Sequence, residues 1–362
     1  MSGAVALAAG GTGGHMFPAQ ALAQALKRRG RRVLLVTDAR GARYAEDFPA
    51  DARAQIAAAS PNVGGPLAKI AAGAALARGV LTALGALRRE RVAAAVGFGG
   101  YPSAPTLTAA RLLGVPYGVH EQNGVLGRAN RLVVRGAAFT AHAFANLDRA
   151  PEGLARRREV GHPIRDAVRP HVDAPYTPPS ADGAIRLLIF GGSQGAAILS
   201  RVAPAAAARL PEDLRRRLQV VHQAREDDVA AVGAIYADAG IDHDVAPFFK
   251  DLPKRIADAH LVVARSGAST VTEISLIGRP AIFVPLAIAM DDHQTGNARA
   301  LADAGAAEIF SEKEFTRDAL AKRLETMLRC DDALAAMAKK ARGRVKAGAA
   351  EALADLVDEV AA

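Results

Sequence analysis

The chain spells the same grammar twice: an apolar run, a burst of glycines, then an amphipathic helix. Val5-Ala6-Leu7-Ala8 leads into Gly10-Gly11-Thr12-Gly13-Gly14-His15 and the helical stretch 19–27. Ile185-Arg186-Leu187-Leu188-Ile189-Phe190 leads into Gly191-Gly192-Ser193-Gln194-Gly195-Ala196. A buried strand that turns through glycines into a helix opens a βαβ unit, whose strands pair in parallel. Gly30 stops the first helix, residues 32–37 read as a second strand, and the alternation continues through 92–96 and 117–119. A proline-rich stretch at 163–179 interrupts it, and further strands are expected at 218–221, 261–263 and 281–284. The chain is therefore expected to be α/β, with two Rossmann-like doubly wound domains facing each other across a cleft. Ligands of such sheets lie at the carboxyl ends of the strands.

At 362 residues the chain exceeds the size at which single cores stop growing, which agrees with two domains. Cys330 is the only cysteine, which excludes an internal disulfide and a multi-cysteine metal cage. The start lacks a basic segment and a long apolar run, so no secretory signal is expected. The least polar later stretch, 68–87, contains Lys69 and Arg78, which argues against a membrane span. Charge is uneven: residues 1–163 carry 21 Lys and Arg against 9 Asp and Glu, the remainder 25 against 28. A first half this basic is suited to an anionic partner, nucleic acid or an acidic membrane surface. Aromatic residues make up only 4% of the chain, too few for a base-stacking groove, so nucleic acid is not expected.

Neither glycine loop is a nucleotide fingerprint. Gly11-Thr12-Gly13 begins like a dinucleotide loop, and Asp38 stands where a ribose-binding acid would, but Met16 occupies the third glycine position. The Gly-Lys-Ser/Thr of a nucleotide triphosphatase is missing from both. Each loop still offers close backbone approach and a helix N-terminus, which suits an anion or a sugar. Five more polar clusters each follow an apolar strand: Gly97-Phe98-Gly99-Gly100-Tyr101-Pro102-Ser103, His120-Glu121-Gln122-Asn123-Gly124, Gly161-His162-Pro163-Ile164-Arg165, Arg265-Ser266-Gly267-Ala268-Ser269-Thr270-Val271-Thr272-Glu273 and Asp291-Asp292-His293-Gln294-Thr295-Gly296-Asn297. Seven clusters aligned with strand ends exceed what helix capping requires.

In order and spacing from residue 10 to residue 297, this set resembles the MurG family of bacterial peptidoglycan glycosyltransferases. The resemblance implies a GT-B fold. It also implies inverting transfer of N-acetylglucosamine from UDP-N-acetylglucosamine to the 4-hydroxyl of undecaprenyl-pyrophosphoryl-N-acetylmuramoyl-pentapeptide. The expected division is 1–163 for the acceptor and the membrane, with a C-terminal helix at 345–362 packed back on it, and 164–344 for the UDP-sugar. The alternatives are a GT-B transferase with another lipid or small-molecule acceptor, and a non-catalytic nucleotide-sugar binding protein.

Site roles follow from the resemblance. Ser266, Gly267, Ala268 and Ser269 would meet the diphosphate at a helix start, and Glu273 would hold the ribose diol. Arg165 would face the donor phosphates from the hinge, since a guanidinium matches phosphate geometry. Ser193 and Gln194 fit phosphate or sugar, Gln294 and Asn297 the sugar hydroxyls, and Asn123 the same sugar from the first domain. Phe249 marks the uracil edge, and Thr12, Gly13 and Gly14 complete the donor set. For the acceptor the expected contacts are Gly14, His15, Tyr101, Ser103, His120 and Glu121. His15 is the expected general base, because a near-neutral imidazole is matched to removing a hydroxyl proton; His120 and Glu121 are the alternatives. The family uses no metal, and none is expected here; Asp242-His243-Asp244 reads as a solvated turn. His162 replaces a common Asn before the proline, and His222-Gln223 lacks the usual following glycine. Membrane contact at the cytoplasmic face is expected through Leu76, Val80 and Leu87, with Lys69 and Arg88 adding charge beside them.

Overall fold

The computed structural model describes residues 3–57, 66–192, 195–287 and 292–361. Two compact units emerge, one of residues 1–166 and 346–362, the other of residues 167–345.

In chain order the first unit comprises β1 (Ala4–Ala8), α1 (Gly13–Arg28), β2 (Val33–Thr37), β3 (Ala52–Gln55), α2 (Pro66–Arg89), β4 (Val92–Gly97), α3 (Ser103–Leu112), β5 (Tyr117–Glu121), α4 (Arg128–Val133), β6 (Phe139–His142) and β7 (Arg157–Glu159). Its seven strands lie in the order β3-β2-β1-β4-β5-β6-β7, all parallel. β1, β2 and β5 are buried at every residue, the consequence of a sheet covered on both faces. One face packs under α1, where Met16, Ala19, Leu22, Ala23 and Leu26 enter the core with Val5, Leu7, Leu35 and Val96. The other is covered from α2 and α3, through Ala83, Leu87, Leu107 and Ala110.

The second unit comprises β8 (Ile185–Phe190), α5 (Ala197–Ala207), α6 (Glu212–Arg215), β9 (Leu218–Gln223), α7 (Val229–Asp238), β10 (Asp242–Ala246), α8 (Leu252–Asp258), β11 (Leu261–Ala264), α9 (Ala268–Ile277), β12 (Ala281–Phe283), α10 (His293–Ala302), β13 (Ala307–Ile309), α11 (Arg317–Leu328) and α12 (Asp331–Ala341). Its six strands run β10-β9-β8-β11-β12-β13, again parallel throughout. Both sheets reverse strand order beside their first strand, between β1 and β4 and between β8 and β11. Those two reversals are the switch points at which such sheets leave a crevice.

The last helix, α13 (Ala349–Val360), returns to the first unit. Its buried stripe Ala350, Leu353, Ala354, Leu356 and Val357 joins the core under α1. Its acidic face meets the basic end of α1: Arg29 pairs with Asp355 and Asp358 at 2.8 Å, Arg31 with Asp358 at 2.7 Å, and Arg28 with Glu351 at 2.8 Å.

Two expectations fail here. Asp242-His243-Asp244 is no turn but the start of edge strand β10, where Asp244 pairs with Arg255 at 2.6 Å and the His243 ring bonds the Ile241 carbonyl. Charge on an edge strand discourages pairing with another sheet. Among the described residues, no three His, Cys, Asp or Glu side chains are grouped to hold a metal. The helix face proposed for the membrane is divided: Leu87 is 1% exposed in the core and Val80 packs against the same cluster, whereas Leu76 and Arg88 are exposed. The side chain of Lys69 lies outside the described residues. The leucines that α2 does present outward are Leu76 and Leu81, the latter 67% exposed.

Leu353 is fully buried between α13 and α1. Leu353→Ala should destabilise the first unit by about 2–5 kcal/mol, read as a lower midpoint in urea unfolding; an unchanged midpoint would mean that α13 is peripheral to its stability.

Candidate functional site

The first crevice lies between the ends of β1 and β4. From β1 the chain passes through Gly10 and Gly11 to Thr12, the N-cap of α1. Asp38, at the end of β2, accepts the Gly11 N–H at 3.0 Å and the Gly41 N–H at 2.8 Å on one carboxylate oxygen. It is 4% exposed and braces the glycine loop, a different task from holding a ribose.

His15 stands in the first turn of α1. The Phe98 carbonyl, just beyond β4, lies 2.8 Å from its Nδ1. A carbonyl only accepts, so Nδ1 carries the ring proton and Nε2 keeps its lone pair. The ring also accounts for the two glycines after Phe98: at Gly99 and Gly100, φ is +79° and +72°, and a Cβ at either would come within 3.2 to 3.4 Å of the imidazole. At Gly100 it would also lie 2.8 Å from the Gly10 carbonyl oxygen. Glycine thus provides both the left-handed backbone and the room for the ring. Tyr101 is half-buried with the Arg40 guanidinium 5.4 Å over its ring.

Other members of the motifs turn inward. Ser103 is fully buried, its one O–H shared between the Ala8 and Gly99 carbonyls, 2.9 and 2.7 Å from Oγ, which ties β1 to the loop after β4. Glu121, 2% exposed, accepts from the Asn123 N–H, the Asn123 side chain, the Gly127 N–H and the Asn130 side chain at 2.8–3.2 Å. Four donors spend its acceptor capacity on shaping its own loop. His120 is wholly buried, with Nε2 3.0 Å from the Gly161 carbonyl, and burial pushes its pKa down to about 4. Ser103, His120 and Glu121 therefore line no open surface in this structure. Neither His120 nor Glu121 presents a free base, whereas the Nδ1 of His15 is engaged by the Phe98 carbonyl. Asn123 remains half-buried at the loop edge. Arg165 falls in the first unit and stacks 4.0 Å over the Phe17 ring, two residues along α1 from His15.

The second unit repeats the plan with different chemistry. After β8, the Gly195 N–H closes a turn onto the Gly192 carbonyl at 3.1 Å; Ser193 and Gln194, expected in the donor set, lie outside the described residues. After β11, Gly267 caps α9, bringing a helix N-terminus to the strand ends. Such an end concentrates N–H donors and the positive pole of the helix dipole. Glu273 sits in the second turn, 6% exposed. Ser266 is fully buried, its hydroxyl without a partner among the described residues. Asn297 is also fully buried and donates to the Ser266 carbonyl at 3.2 Å, so it holds the loop where a sugar contact was expected. Gln294 accepts the Leu286 N–H at 3.0 Å. Phe249 lies beneath the Arg255 guanidinium at 4.0 Å, and its neighbour Phe248 is the exposed ring.

Two residues to which the motifs assigned no role organise these loops. Arg265 donates to the Val284 and Pro285 carbonyls at 2.9 and 3.1 Å and pairs with Glu312, linking the ends of β11, β12 and β13. Asn130 completes the Glu121 cage. Arg265 directly precedes the Ser-Gly of the α9 loop, and a charged residue at the end of a buried strand is the signal that marks it.

Comparison with known proteins agrees with this geometry. Residues 5–141 match the glycosyltransferase family 28 N-terminal domain, and residues 186–359 the family 28 C-terminal domain. The chain is 49% identical to the UDP-N-acetylglucosamine–N-acetylmuramyl-(pentapeptide) pyrophosphoryl-undecaprenol N-acetylglucosamine transferase of Phenylobacterium zucineum, over 98% of each chain. With the enzyme of that name from Methylobacterium it shares 51% identity, over 99% of this chain and 96% of the relative. The crystal structure of Acinetobacter baumannii MurG superposes with a TM-score of 0.78 at 33% identity, over 99% of both chains.

The hydrogen bond to Phe98 predicts one ring tautomer. Heteronuclear NMR of His15 near neutral pH should show a protonated Nδ1 and an unprotonated Nε2; the opposite tautomer would contradict the geometry.

Proposed function

The chain belongs to glycosyltransferase family 28, and we propose that it transfers N-acetylglucosamine from UDP-N-acetylglucosamine to the 4-hydroxyl of undecaprenyl-pyrophosphoryl-N-acetylmuramoyl-pentapeptide. Full-length relatives at 47–51% identity that carry this activity in their names support the reading. The observation that carries its chemistry is His15, held by Phe98 with Nε2 as the free acceptor.

The second unit binds the donor. Backbone donors at the start of α9 receive the diphosphate, and Glu273 accepts from the vicinal ribose hydroxyls. A helix N-terminus stabilises the charge that grows on the departing diphosphate without a metal. The first unit receives the acceptor. Nε2 of His15 takes the proton of the 4-hydroxyl as its oxygen bonds to the anomeric carbon and the bond from that carbon to the UDP oxygen breaks. Attack opposite the leaving group inverts the α-linked donor to a β-linked product. Glu121, Asn130 and Ser103 act as positioning residues, since their polar atoms are spent on the loops around the base. Misplacement of a catalytic group by about 1 Å can cost about a hundredfold in rate.

The acceptor's lipid requires a membrane surface. No helix among the described residues is long and apolar enough to cross one. Of the leucines expected from the sequence only Leu76 is exposed, and the structure adds Leu81 on α2, Leu112 at the end of α3, and Leu132 on α4. α3 packs against both other helices. Arg78, Arg88, Arg111, Arg128 and Arg135 are exposed on or beside them, with no ion-pair partner among the described residues. Exposed leucines and arginines on the same neighbouring helices suit the interface of an anionic membrane, and we place the enzyme peripherally on its cytoplasmic face.

His15→Ala should lower turnover by about 10²–10⁴-fold, the usual range for loss of a general base, with UDP affinity nearly unchanged. Glu273→Ala should weaken UDP binding by about 10- to 100-fold, as expected for losing a hydrogen bond to a charged group. Both are read by calorimetry with UDP and by transfer of labelled sugar to a lipid-linked acceptor analogue in the presence of EDTA. Near-normal turnover in the first variant, or unchanged UDP affinity in the second, would overturn the assignment.

Sedimentation with vesicles should increase with anionic lipid and fall in a Leu81→Ser, Leu132→Ser double variant, while Leu87→Ala should lower stability and leave vesicle affinity unchanged. Equal binding to neutral and anionic vesicles would reject the membrane face.

A further inference from the structure

The donor unit has a second polar centre at the opposite edge of its sheet. A cavity of about 200 Å³ opens at the amino ends of β8, β11 and β12, lined by Tyr176, Arg186, Asp258, His260 and Arg279 among others. Such a volume holds several waters at roughly 30 Å³ each. Its charged walls are two arginines, Arg186 and Arg279, against one acid, Asp258. Arg279 is 2% exposed, yet its guanidinium meets no carboxylate: it donates to the carbonyls of Ala174, Pro175, Ala257, Ile277 and Gly278 and lies 5.4 Å over the Tyr176 ring. Arg342, half-buried, also donates to the Ala174 carbonyl. The Asp258 carboxylate, at the same cavity, is paired with Lys254 at 2.5 Å. A buried guanidinium is ordinarily matched by an anion, because its desolvation is costly.

Hydrogen bonding at His260 points the same way. The backbone N–H of Arg186 donates to Nδ1 at 3.0 Å, so Nδ1 carries no proton. The neutral ring must then carry its proton on Nε2, and Nε2 lies 2.9 Å from an Arg186 guanidinium nitrogen, itself a donor. Two donors face each other with no acceptor between them. Burial, followed by the charges of Arg186 and Arg279, pushes the His260 pKa down to about 4, which keeps the ring neutral. Burial and the Arg342 charge push the Arg279 pKa down to about 10. The cluster therefore repels positive charge within itself. A bound anion would accept from Nε2–H and the Arg186 guanidinium together.

We propose that this cavity is a binding site for a small phosphate-class anion, either inorganic phosphate or the terminal phosphate of a monoester. It is held by Arg186 and His260, with Arg279 supplying charge from behind. The site lies a strand's length from the α9 loop and does not depend on the donor assignment. Its bound anion would reinforce the carbonyl clasp by which Arg279 fixes Ala174 and Pro175, at the start of the unit.

The test is equilibrium dialysis of the whole protein with radiolabelled inorganic phosphate at constant ionic strength, with and without saturating UDP. One phosphate per chain should remain bound when UDP is present, and glycerol phosphate should displace it if the site admits monoesters. Arg186→Gln, at an exposed position on β8, should weaken phosphate binding by at least about tenfold, the scale of one lost charge-assisted hydrogen bond. The same variant should keep its UDP affinity and far-ultraviolet circular dichroism. Arg186→Lys should restore part of the affinity. Absence of binding by the unaltered protein in the presence of UDP, or equal binding by Arg186→Gln, would overturn the proposal.

Discussion

Parallel pairing of β1 with β4 is the constraint on which the rest of the first unit's site depends. The register sets Ala8 beside Gly97, so the two strands end together, and the Phe98 N–H continues the ladder onto the Ala8 carbonyl at 2.9 Å. Beyond that point the chain departs to α1 from one strand and to α3 from the other, and a crevice remains between them. The peptide that donates through its N–H to β1 belongs to the same residue whose carbonyl receives the His15 ring. Sheet pairing thus orients the imidazole, and the tautomer with a free Nε2 is a consequence of backbone geometry. Replacing the ladder by flexible chain would leave a histidine at the same place with neither orientation nor tautomer defined.

The second unit obeys the same constraint and leaves something different in the gap. Ala264 pairs with Phe190, so β8 and β11 also end together. Here the crevice is edged by the start of α9, with Ser266 held by Asn297 and the neighbouring strand ends held by Arg265. Backbone donors fixed by buried side chains suit a charged phosphate chain, whose many acceptors need a preorganised surface more than they need one reactive group. In the function proposed above, one topology serves proton transfer in one unit and anion recognition in the other, and the difference lies in the loops at the strand ends.

The alternation of strand and helix was legible because buried parallel strands read as unbroken apolar runs and glycine turns punctuate them. Strands β3, β7 and β10 were not: Ala52-Arg53-Ala54-Gln55, Arg157-Arg158-Glu159 and Asp242-His243-Asp244 lie at or near sheet edges, where solvent permits charge and the apolar signal vanishes. The motifs fall at the strand ends around the crevices, but they do not distinguish a side chain open to the crevice from one that faces its own loop. His120 and Glu121 are still within β5, a strand covered on both faces, so both sink into the interior despite their polarity. The membrane face failed for a related reason. Leu76, Val80 and Leu87 form the apolar stripe of a helix, and a helix on an α/β sheet must turn such a stripe inward, at least in part; Leu81, off that stripe, is what reaches solvent.

The inward-facing polar residues carry a physical cost that the chain could avoid with apolar side chains, and the bonding of Glu121 shows what the polarity achieves. An alkyl group of the same size would fill the space, but it could not specify the conformation of residues 123–130, whose N–H groups at Asn123 and Gly127 need an acceptor once the loop folds over them. A buried carboxylate satisfied by four donors gives the loop a single arrangement, because every alternative strands a charge or an amide in the interior. Asn297 beneath Ser266 and Ser103 between Ala8 and Gly99 apply the same rule with neutral groups. Precision at the crevices is therefore built from residues that need not touch a substrate, and their polarity is a requirement of the loops they hold.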